Sequence, residues 1–134
     1  MDAFAVVTGA AAGALARHYT SRGRSPWATC GINIAGSFIL GAVVTASSLN
    51  PRAKLLAGTG FCGAFTTFST FSVETVRMWE AGQAGRAVGF VAANNVGSIA
   101  AAATGALVCA RLGRGRTARL ARGSAACGER KPPQ

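Results

Sequence analysis

Four long stretches of this chain contain no charged residue. They are Ala3–Ala16, Ser25–Pro51, Leu55–Val73 and Ala87–Ala110, with 14, 27, 19 and 24 residues. A helix that crosses the hydrocarbon core of a bilayer needs roughly 17–25 apolar residues. Three of the stretches are therefore long enough to cross a membrane, and the first is nearly so. This pattern predicts an all-α membrane protein with four transmembrane helices.

Composition favours the same class and disfavours several others. Charged residues make up 13% of the 134 residues and half of the chain is hydrophobic, whereas soluble domains contain about 25% charged residues. A soluble enzyme, a nucleic-acid reader and a secreted disulfide scaffold are all poor fits to these values. The four cysteines form no CxxC pair, so they do not indicate a metal or redox site.

The formal net charge is +10, and the basic residues are distributed as is typical of a protein that crosses the membrane several times. Basic residues lie between the apolar stretches and gather in the C-terminal tail, which predicts contact with anionic lipid and no nucleic-acid partner. Arg52, Lys54 and seven basic residues of the tail give nine on the side that holds both termini, against five on the opposite side. The positive-inside rule then places both termini in the cytoplasm.

We expect helices over about 3–19, 27–48, 55–79 and 87–110, in one transmembrane domain that spans residues 1–110. The basic tail, residues 111–134, has little apolar surface to bury and is expected to be mostly disordered. Gly9 and Gly13 are four residues apart, and small residues at this spacing favour close helix packing in lipid.

Polar residues recur on one face of the second and fourth predicted helices. Thr29, Asn33 and Ser37 follow each other at intervals of four, and Asn94 and Ser98 have the same spacing. Polar groups inside a membrane often line a functional site. Hydrogen bonds between helices are the alternative explanation.

The third predicted helix contains the least regular segment. Gly58, Gly60 and Gly63 precede the pair Thr66 and Thr67, and this composition weakens a helix near the middle of the membrane. A helix broken there exposes backbone carbonyls, which are tolerated where something such as a cation coordinates them.

Phenylalanines alternate with hydroxyl residues after this segment. Phe68 and Phe71 share a helix face, and aromatic ring edges together with hydroxyl donors can stabilise a small anion. Packing of the two rings against lipid is the alternative.

Glu74 is the one carboxylate predicted within the membrane. It either accepts hydrogen bonds from the hydroxyls or faces Arg77 at the interface.

Over about residues 9–110 the chain resembles the Fluc (CrcB) family of bacterial fluoride channels. The most specific motif is GFCG at 60–63 with TTFSTFSVE at 66–74. Residues 13–17, GALAR, resemble the end of that family's first helix, and residues 33–38, NIAGSF, resemble its second-helix signature.

This resemblance implies four-helix subunits, each with its third helix broken at mid-membrane, that form an antiparallel dimer with two fluoride pores. It implies a bacterial plasma-membrane channel that passively exports cytoplasmic fluoride and lowers its toxicity, with no enzyme chemistry. The partners it implies are fluoride, membrane lipid and a second subunit.

Roles for single residues are implied in the same way. The pore residues would be Phe68, Phe71, Asn33, Ser69, Thr70, Ser98 and Glu74. Arg17 would lie near a wide aqueous vestibule and favour anions there. The backbone carbonyls of Gly63 and Thr66, from both subunits, would hold a structural sodium ion that is not transported.

The fourth helix departs from the family pattern, which usually has Tyr at the position of Phe90 and Ser at that of Asn94. These two replacements, together with the nine-to-five bias of basic residues between the two sides of the membrane, leave two further hypotheses open. The chain could pair with an oppositely oriented paralogue rather than with itself, or it could be a non-conducting subunit. A proton-coupled small multidrug transporter is disfavoured, because the first apolar stretch has no carboxylate after Asp2.

Overall fold

The computed structural model describes residues 2–21 and 25–128, with side chains up to residue 115. In this part of the chain every regular element is helical and there are no strands, which confirms the predicted all-α class. The elements are α1 (Asp2–Ser21), α2 (Trp27–Thr45), α3 (residues 51–65), α4 (Phe68–Glu80) and α5 (Ala84–Gly128). Within α3, Leu55–Cys62 is π-helical and the short segments on either side are α-helical.

The third predicted helix is interrupted between α3 and α4. Thr66 has φ −79° and ψ 157°, and Thr67 has φ −151° and ψ 119°, so both residues are extended. The glycine-rich segment before them keeps helical hydrogen bonding in its π form. The interruption therefore falls at the threonine pair, where β-branched side chains favour an extended backbone.

Glycines bring the helix backbones into direct contact in two places. A Cβ atom on Gly9 or Gly13 of α1 would meet backbone carbonyls of α3, and for Gly13 that carbonyl belongs to Phe61. A Cβ on Gly41 of α2 would meet the carbonyl of Ala102 in α5. These approaches pair α1 with α3 and α2 with α5; the small residues of the sequence predict close helix packing but not which helices meet.

Two of the described helices are long and apolar enough to cross a membrane on length and composition. They are α2, Trp27–Thr45, and the part of α5 that covers Ala84–Gly115. Several large apolar side chains on α5, among them Val96, Ile99 and Leu107, are exposed. Exposed apolar surface of this kind is suited to lipid or to a second protein surface. The arrangement with four spans stays a prediction.

α5 is longer than predicted. It runs to Gly128, whereas the sequence predicts an end near Ala110 followed by a disordered tail. Ala, Leu and Arg, which favour helix, make up most of the extension, and residues 111–131 contain no proline. The other helix bounds lie within about four residues of the predicted ones. Residues 129–134 of the tail, and Arg22 and Arg24 of the first loop, lie outside the described residues.

Candidate functional site

Asn33 of α2 holds the interruption between α3 and α4. The Thr67 N–H donates to Asn33 Oδ1 at 2.8 Å, and Asn33 Nδ2 donates to the Thr67 carbonyl at 3.2 Å. Both residues are buried. This two-point contact gives a partner to the Thr67 N–H, which the break removes from the helical ladder, and a second donor to the Thr67 carbonyl at the start of α4.

Asn94 of α5 extends this contact to a third helix. Asn33 Nδ2 donates to Asn94 Oδ1 at 2.9 Å, and Asn94 is also buried. One turn further along α5, the Ser98 hydroxyl oxygen is buried and has no hydrogen-bond partner among the described residues. The two predicted polar faces, on α2 and α5, therefore meet at the interruption through their asparagines.

Hydroxyl groups cluster at the first turn of α4. Thr67 Oγ1 accepts a hydrogen bond from the Thr70 N–H at 3.3 Å and donates to Thr70 Oγ1 at 3.1 Å. Ser69 Oγ lies 3.2 Å from the same Thr67 oxygen. The predicted residues Ser69 and Thr70 thus surround a helix N-terminus, where the helix dipole favours negative charge. The capping role of Thr67 was not predicted from the sequence. A threonine three residues before Thr70, at a helix start, is the signal that could have found it.

The predicted pore phenylalanines are adjacent but have different surroundings. The Phe68 and Phe71 ring centroids are 5.5 Å apart at 47°. Phe71 is only 5% exposed, whereas Phe68 is 75% exposed on the subunit surface. Phe71 also contacts Phe90 of α5 at 5.3 Å, and Phe90 makes an edge contact with Trp27 at 5.6 Å. The row of rings runs from the exposed Phe68 through two buried rings to Trp27, which is 42% exposed. The spacing of the sequence does not predict the contacts of Phe90 and Trp27.

Glu74 is bonded to α2 through one oxygen. The Thr29 hydroxyl donates to Glu74 Oε1 at 3.0 Å, while Glu74 Oε2 is buried without a partner in the described structure. Of the two predicted surroundings, the hydroxyl contact is present, with Thr29 as donor. Glu74 also lines a cavity of about 380 Å³. The other lining residues are Pro26, Arg77, Met78, Ala81, Gln83 and Arg86.

Two carbonyls at the interruption lose their helical donors. The Thr67 N–H, which would bond Gly63 in a continuous helix, donates to Asn33 instead. The Thr70 N–H, which would bond Thr66, donates to the Thr67 hydroxyl. Freed carbonyl oxygens at a helix break are suitable ligands for Na⁺. Among the described residues, no group of three or more His, Cys, Asp or Glu could hold a metal through side chains.

Arg17 of α1 contacts one of these carbonyls. Arg17 Nη1 donates to the Thr66 carbonyl at 3.3 Å, in a half-buried position. The structure therefore places Arg17 at the end of α3, where a cation is favourable near a helix C-terminus. A carbonyl oxygen has two lone pairs, so the Thr66 oxygen keeps one acceptor site beside this bond.

Comparison with known proteins agrees with the resemblance seen in the motifs. Residues 4–106 match the family model described as CrcB-like protein, Camphor Resistance (CrcB). Similar curated proteins are named fluoride-specific ion channels, and none of the names reported below is that of an enzyme. FluC 2 of Haloarcula marismortui is 48% identical over 90 residues, which cover 64% of this chain and 75% of the relative. FluC 1 of Streptomyces avermitilis is 42% identical over 105 residues, which cover 71% and 81%. FluC of Gloeobacter violaceus is 40% identical over 97 residues, which cover 64% and 78%. Because the family model matches most of its length, the chain belongs to the CrcB family.

Proposed function

We propose that this chain is a subunit of a passive, fluoride-selective channel that exports fluoride from the cytoplasm. The observation that carries the proposal is the interruption of the third helix, clamped by Asn33, with phenylalanines and hydroxyls directly after it. The names of the relatives support fluoride as the ion. The alternative of a small multidrug transporter has no support from these names.

Neutral groups supply the stabilisation in this mechanism. The ring edges of Phe68 and Phe71 and the hydroxyls of Ser69 and Thr70 offer partial positive charge to an anion. Such donors bind an ion strongly enough for entry and weakly enough for release. The membrane potential drives the anion outward, so no ATP site is needed. The cavity beside Glu74 is the aqueous end of the path in this proposal.

A second subunit completes the pathway. Phe68 is 75% exposed on the single subunit, and a ring that lines a pore needs a facing surface. An antiparallel partner would place the apolar surface of its own α5 or α4 against this ring. This contact would also bury part of the exposed apolar area, which stabilises association within the membrane through van der Waals packing.

A structural sodium ion belongs to the same proposal. The carbonyls of Gly63 and Thr66 have lost their helical donors, and one copy of each from two subunits would offer four oxygen ligands. The ion would hold the two interruptions together without being transported. The proposed location of the channel is the plasma membrane. The side that holds both termini carries nine basic residues, against five on the other side, so the positive-inside rule favours cytoplasmic termini.

Ion release from liposomes tests the proposal. Purified protein is reconstituted in vesicles loaded with potassium fluoride or potassium chloride, with sodium present, and valinomycin starts the efflux. We expect rapid release of fluoride and retention of chloride, while protein-free vesicles retain both ions. Equal release of both halides would overturn fluoride selectivity.

Partner dependence is the second candidate function. Phe90 and Asn94 replace the Tyr and Ser usual in the family, and the charge bias favours one orientation. Vesicles containing this chain alone are therefore compared with vesicles that also contain a relative of opposite charge bias. Flux only in the mixed vesicles would assign this chain to a heterodimer. Flux with this chain alone would assign it to a homodimer.

A further inference from the structure

Basic side chains gather at the end of the bundle where α5 leaves its uncharged stretch. Ala87–Ala110 contains no charge, and Arg111 and Arg114 follow it directly, both on the exposed surface of the helix. Between them, a Cβ atom on Gly113 would lie 3.9 Å from the hydroxyl oxygen of Ser47. The first basic turn of α5 therefore lies against the loop that follows α2.

Two further basic residues reach the same end of α2 from the start of α3. Lys54 Nζ donates to the carbonyl of Val44 at 3.0 Å, and Arg52 lies 3.8 Å from the carboxylate of Asp2. The other carboxylates among the described side chains belong to α4. Because four basic residues meet one acidic residue here, this end of the described bundle carries an excess of positive charge.

The position of each arginine along α5 indicates which of them reach the headgroups of a membrane. We take the uncharged stretch of α5 to lie in the hydrocarbon core, and the headgroup layer outside it is roughly 5–8 Å thick. A helix rises about 1.5 Å per residue, so Arg111 and Arg114 lie within roughly 6 Å of Ala110. Arg119 and Arg122 lie about 14 and 18 Å beyond Ala110 on the same helix. The first two arginines are therefore at headgroup depth, and the last two are outside it.

Apolar side chains are exposed next to these basic residues. They are Leu107 and Leu112 of α5 and Val44 at the end of α2. A phospholipid matches both kinds of surface, because it offers a phosphate at headgroup depth and acyl chains beside it. A free phosphate ion or a nucleic acid would contact the cations and leave these apolar side chains without an apolar partner.

We infer that Arg111, Arg114 and Lys54 form a binding site for the headgroup of an anionic phospholipid where α5 leaves the membrane. Guanidinium groups bind phosphate through paired hydrogen bonds. An ammonium has three N–H donors, so Lys54 can contact the phosphate and keep its bond to Val44. Both arginines lie outside residues 4–106, which match the family model. The inference does not depend on which ion the channel conducts.

Lipid binding by the full-length protein in detergent tests the inference. Phosphatidylglycerol or phosphatidylcholine with the same acyl chains is titrated. Native mass spectrometry counts the bound lipid, and tryptophan fluorescence gives the melting temperature. We expect phosphatidylglycerol to stay bound and to raise the melting temperature, as a ligand of the folded state does. Phosphatidylcholine should do neither at the same concentration.

Charge-matched variants of α5 locate the site. The double variant Arg111→Gln and Arg114→Gln should weaken the apparent affinity for phosphatidylglycerol about tenfold or more, because each basic residue near a headgroup contributes. The double variant Arg119→Gln and Arg122→Gln removes the same charge outside headgroup depth. It should stay within about twofold of the wild type at 0.15 M salt, where the Debye length is about 8 Å.

Lys54→Gln tests the contribution of α3. Glutamine keeps a donor for the Val44 carbonyl and removes the charge, so the affinity for phosphatidylglycerol should fall severalfold while the melting temperature without lipid stays the same. Gel filtration checks that each variant has the same size as the wild type. Competition with glycerol phosphate and with a short DNA duplex distinguishes the possible sources of phosphate. Neither should displace the phospholipid.

Four results would overturn the inference. The first is equal binding of phosphatidylcholine and phosphatidylglycerol by the wild type. The second is an equal loss of affinity in the two arginine double variants, since net charge alone would then explain it. The third is a wild-type affinity after Arg111→Gln and Arg114→Gln. The fourth is displacement of the lipid by glycerol phosphate or DNA, which would assign the basic residues to a soluble ligand.

Fluoride efflux is a separate measurement. A wild type that binds phosphatidylglycerol and conducts no fluoride, alone or with a partner, overturns the proposed function alone. A conducting wild type that does not distinguish the two lipids overturns this inference alone.

Discussion

Asn33 and Thr67, which are 34 residues apart, share two hydrogen bonds of 2.8 and 3.2 Å across the interrupted third helix. The Asn33 side chain thereby replaces the helical acceptor of the Thr67 N–H and gives the Thr67 carbonyl a second donor. Asn33→Leu leaves the buried Thr67 N–H without a partner, which should cost about 1–3 kcal/mol, while the Thr67 carbonyl keeps its helical donor at the start of α4. We expect a lower melting temperature of the detergent-solubilised protein, measured by the fluorescence of its tryptophans.

Asn33→Asp is the informative companion to this variant. The aspartate keeps an acceptor for the Thr67 N–H, but its second oxygen would face the Thr67 carbonyl and Asn94 Oδ1 at a buried position, so Asn33→Asp should be at least as unstable as Asn33→Leu. The exposed Asn95, changed to Leu, is the control for added apolar volume. If Asn33→Leu melts at the wild-type temperature, the clamp does not stabilise the interruption.

Gly41 of α2 is expected to tolerate no larger side chain. A Cβ atom there would meet the backbone of Ala102, which cannot move aside without shifting α5. Gly41→Ala should destabilise the subunit by about 1–3 kcal/mol, the usual range for overpacking. Gly31→Ala, on the same helix with open space around it, is the control and should be neutral or slightly stabilising. Yield and melting temperature distinguish the two, and equal behaviour would contradict the close contact of α2 with α5.

Phe68 and Phe71 should respond differently to the same substitution. Phe71 is 5% exposed and packed on Phe90, so Phe71→Leu should lower both fluoride flux and stability, the latter by roughly 1–2 kcal/mol. Phe68 is 75% exposed, so Phe68→Leu should lower flux with little change in the stability of the subunit. Flux is read in liposomes and stability by thermal unfolding in detergent. Normal flux in Phe68→Leu would favour a lipid-facing role for that ring.

The charge of the cavity beside Glu74 should affect how fast anions arrive. Arg77 and Arg86 line it, and screening is weak at 0.01 M salt, where the Debye length is about 30 Å, and strong at 1 M, where it is about 3 Å. The double variant Arg77→Gln and Arg86→Gln should therefore lower fluoride flux severalfold at low ionic strength and little at high ionic strength. Arg111→Gln, outside the cavity, is the control for net charge. A loss that is the same at both salt concentrations would indicate structural damage.

Arg17 is expected to stabilise the end of α3. Its guanidinium donates to the Thr66 carbonyl at 3.3 Å, and a hydrogen bond from a charged group contributes about 1.5–3 kcal/mol. Arg17→Met keeps the apolar stem and removes this bond, so the melting temperature should fall. Arg17→Lys keeps a charge and should restore part of the loss. A wild-type melting temperature for Arg17→Met would show that the contact contributes nothing.

Several features of this fold could be read from the sequence because each depends on local composition. The long uncharged stretches predicted helices, because backbone groups inside a bilayer find partners only within a helix or a closed barrel. The described part of the chain is helical. The glycine-rich run followed by Thr66 and Thr67 indicated the interruption. The spacing of Gly9 and Gly13 indicated a close helix contact, although not with which helix.

The site itself could be predicted only as a set of residues. Spacing placed Phe68 and Phe71 on one face, but only packing against α5 makes one ring buried and leaves the other exposed. The full length of α5 was not predicted either. The charge of the tail suggests disorder, whereas the helix propensity of its Ala, Leu and Arg residues favours continuation of the helix.

The sequence by itself determined the helical class, the position of the interruption and the family, because these follow from composition and from motifs read along the chain. Only the tertiary structure decided how the amide groups are used. Asn33 and Asn94 are the same residue type, yet the Asn33 amide donates to the Thr67 carbonyl and to Asn94 Oδ1, whereas the Asn94 amide nitrogen has no partner among the described residues. Hydrogen-bond direction depends on which groups meet in space, and residues 61 positions apart meet only once the helices have packed.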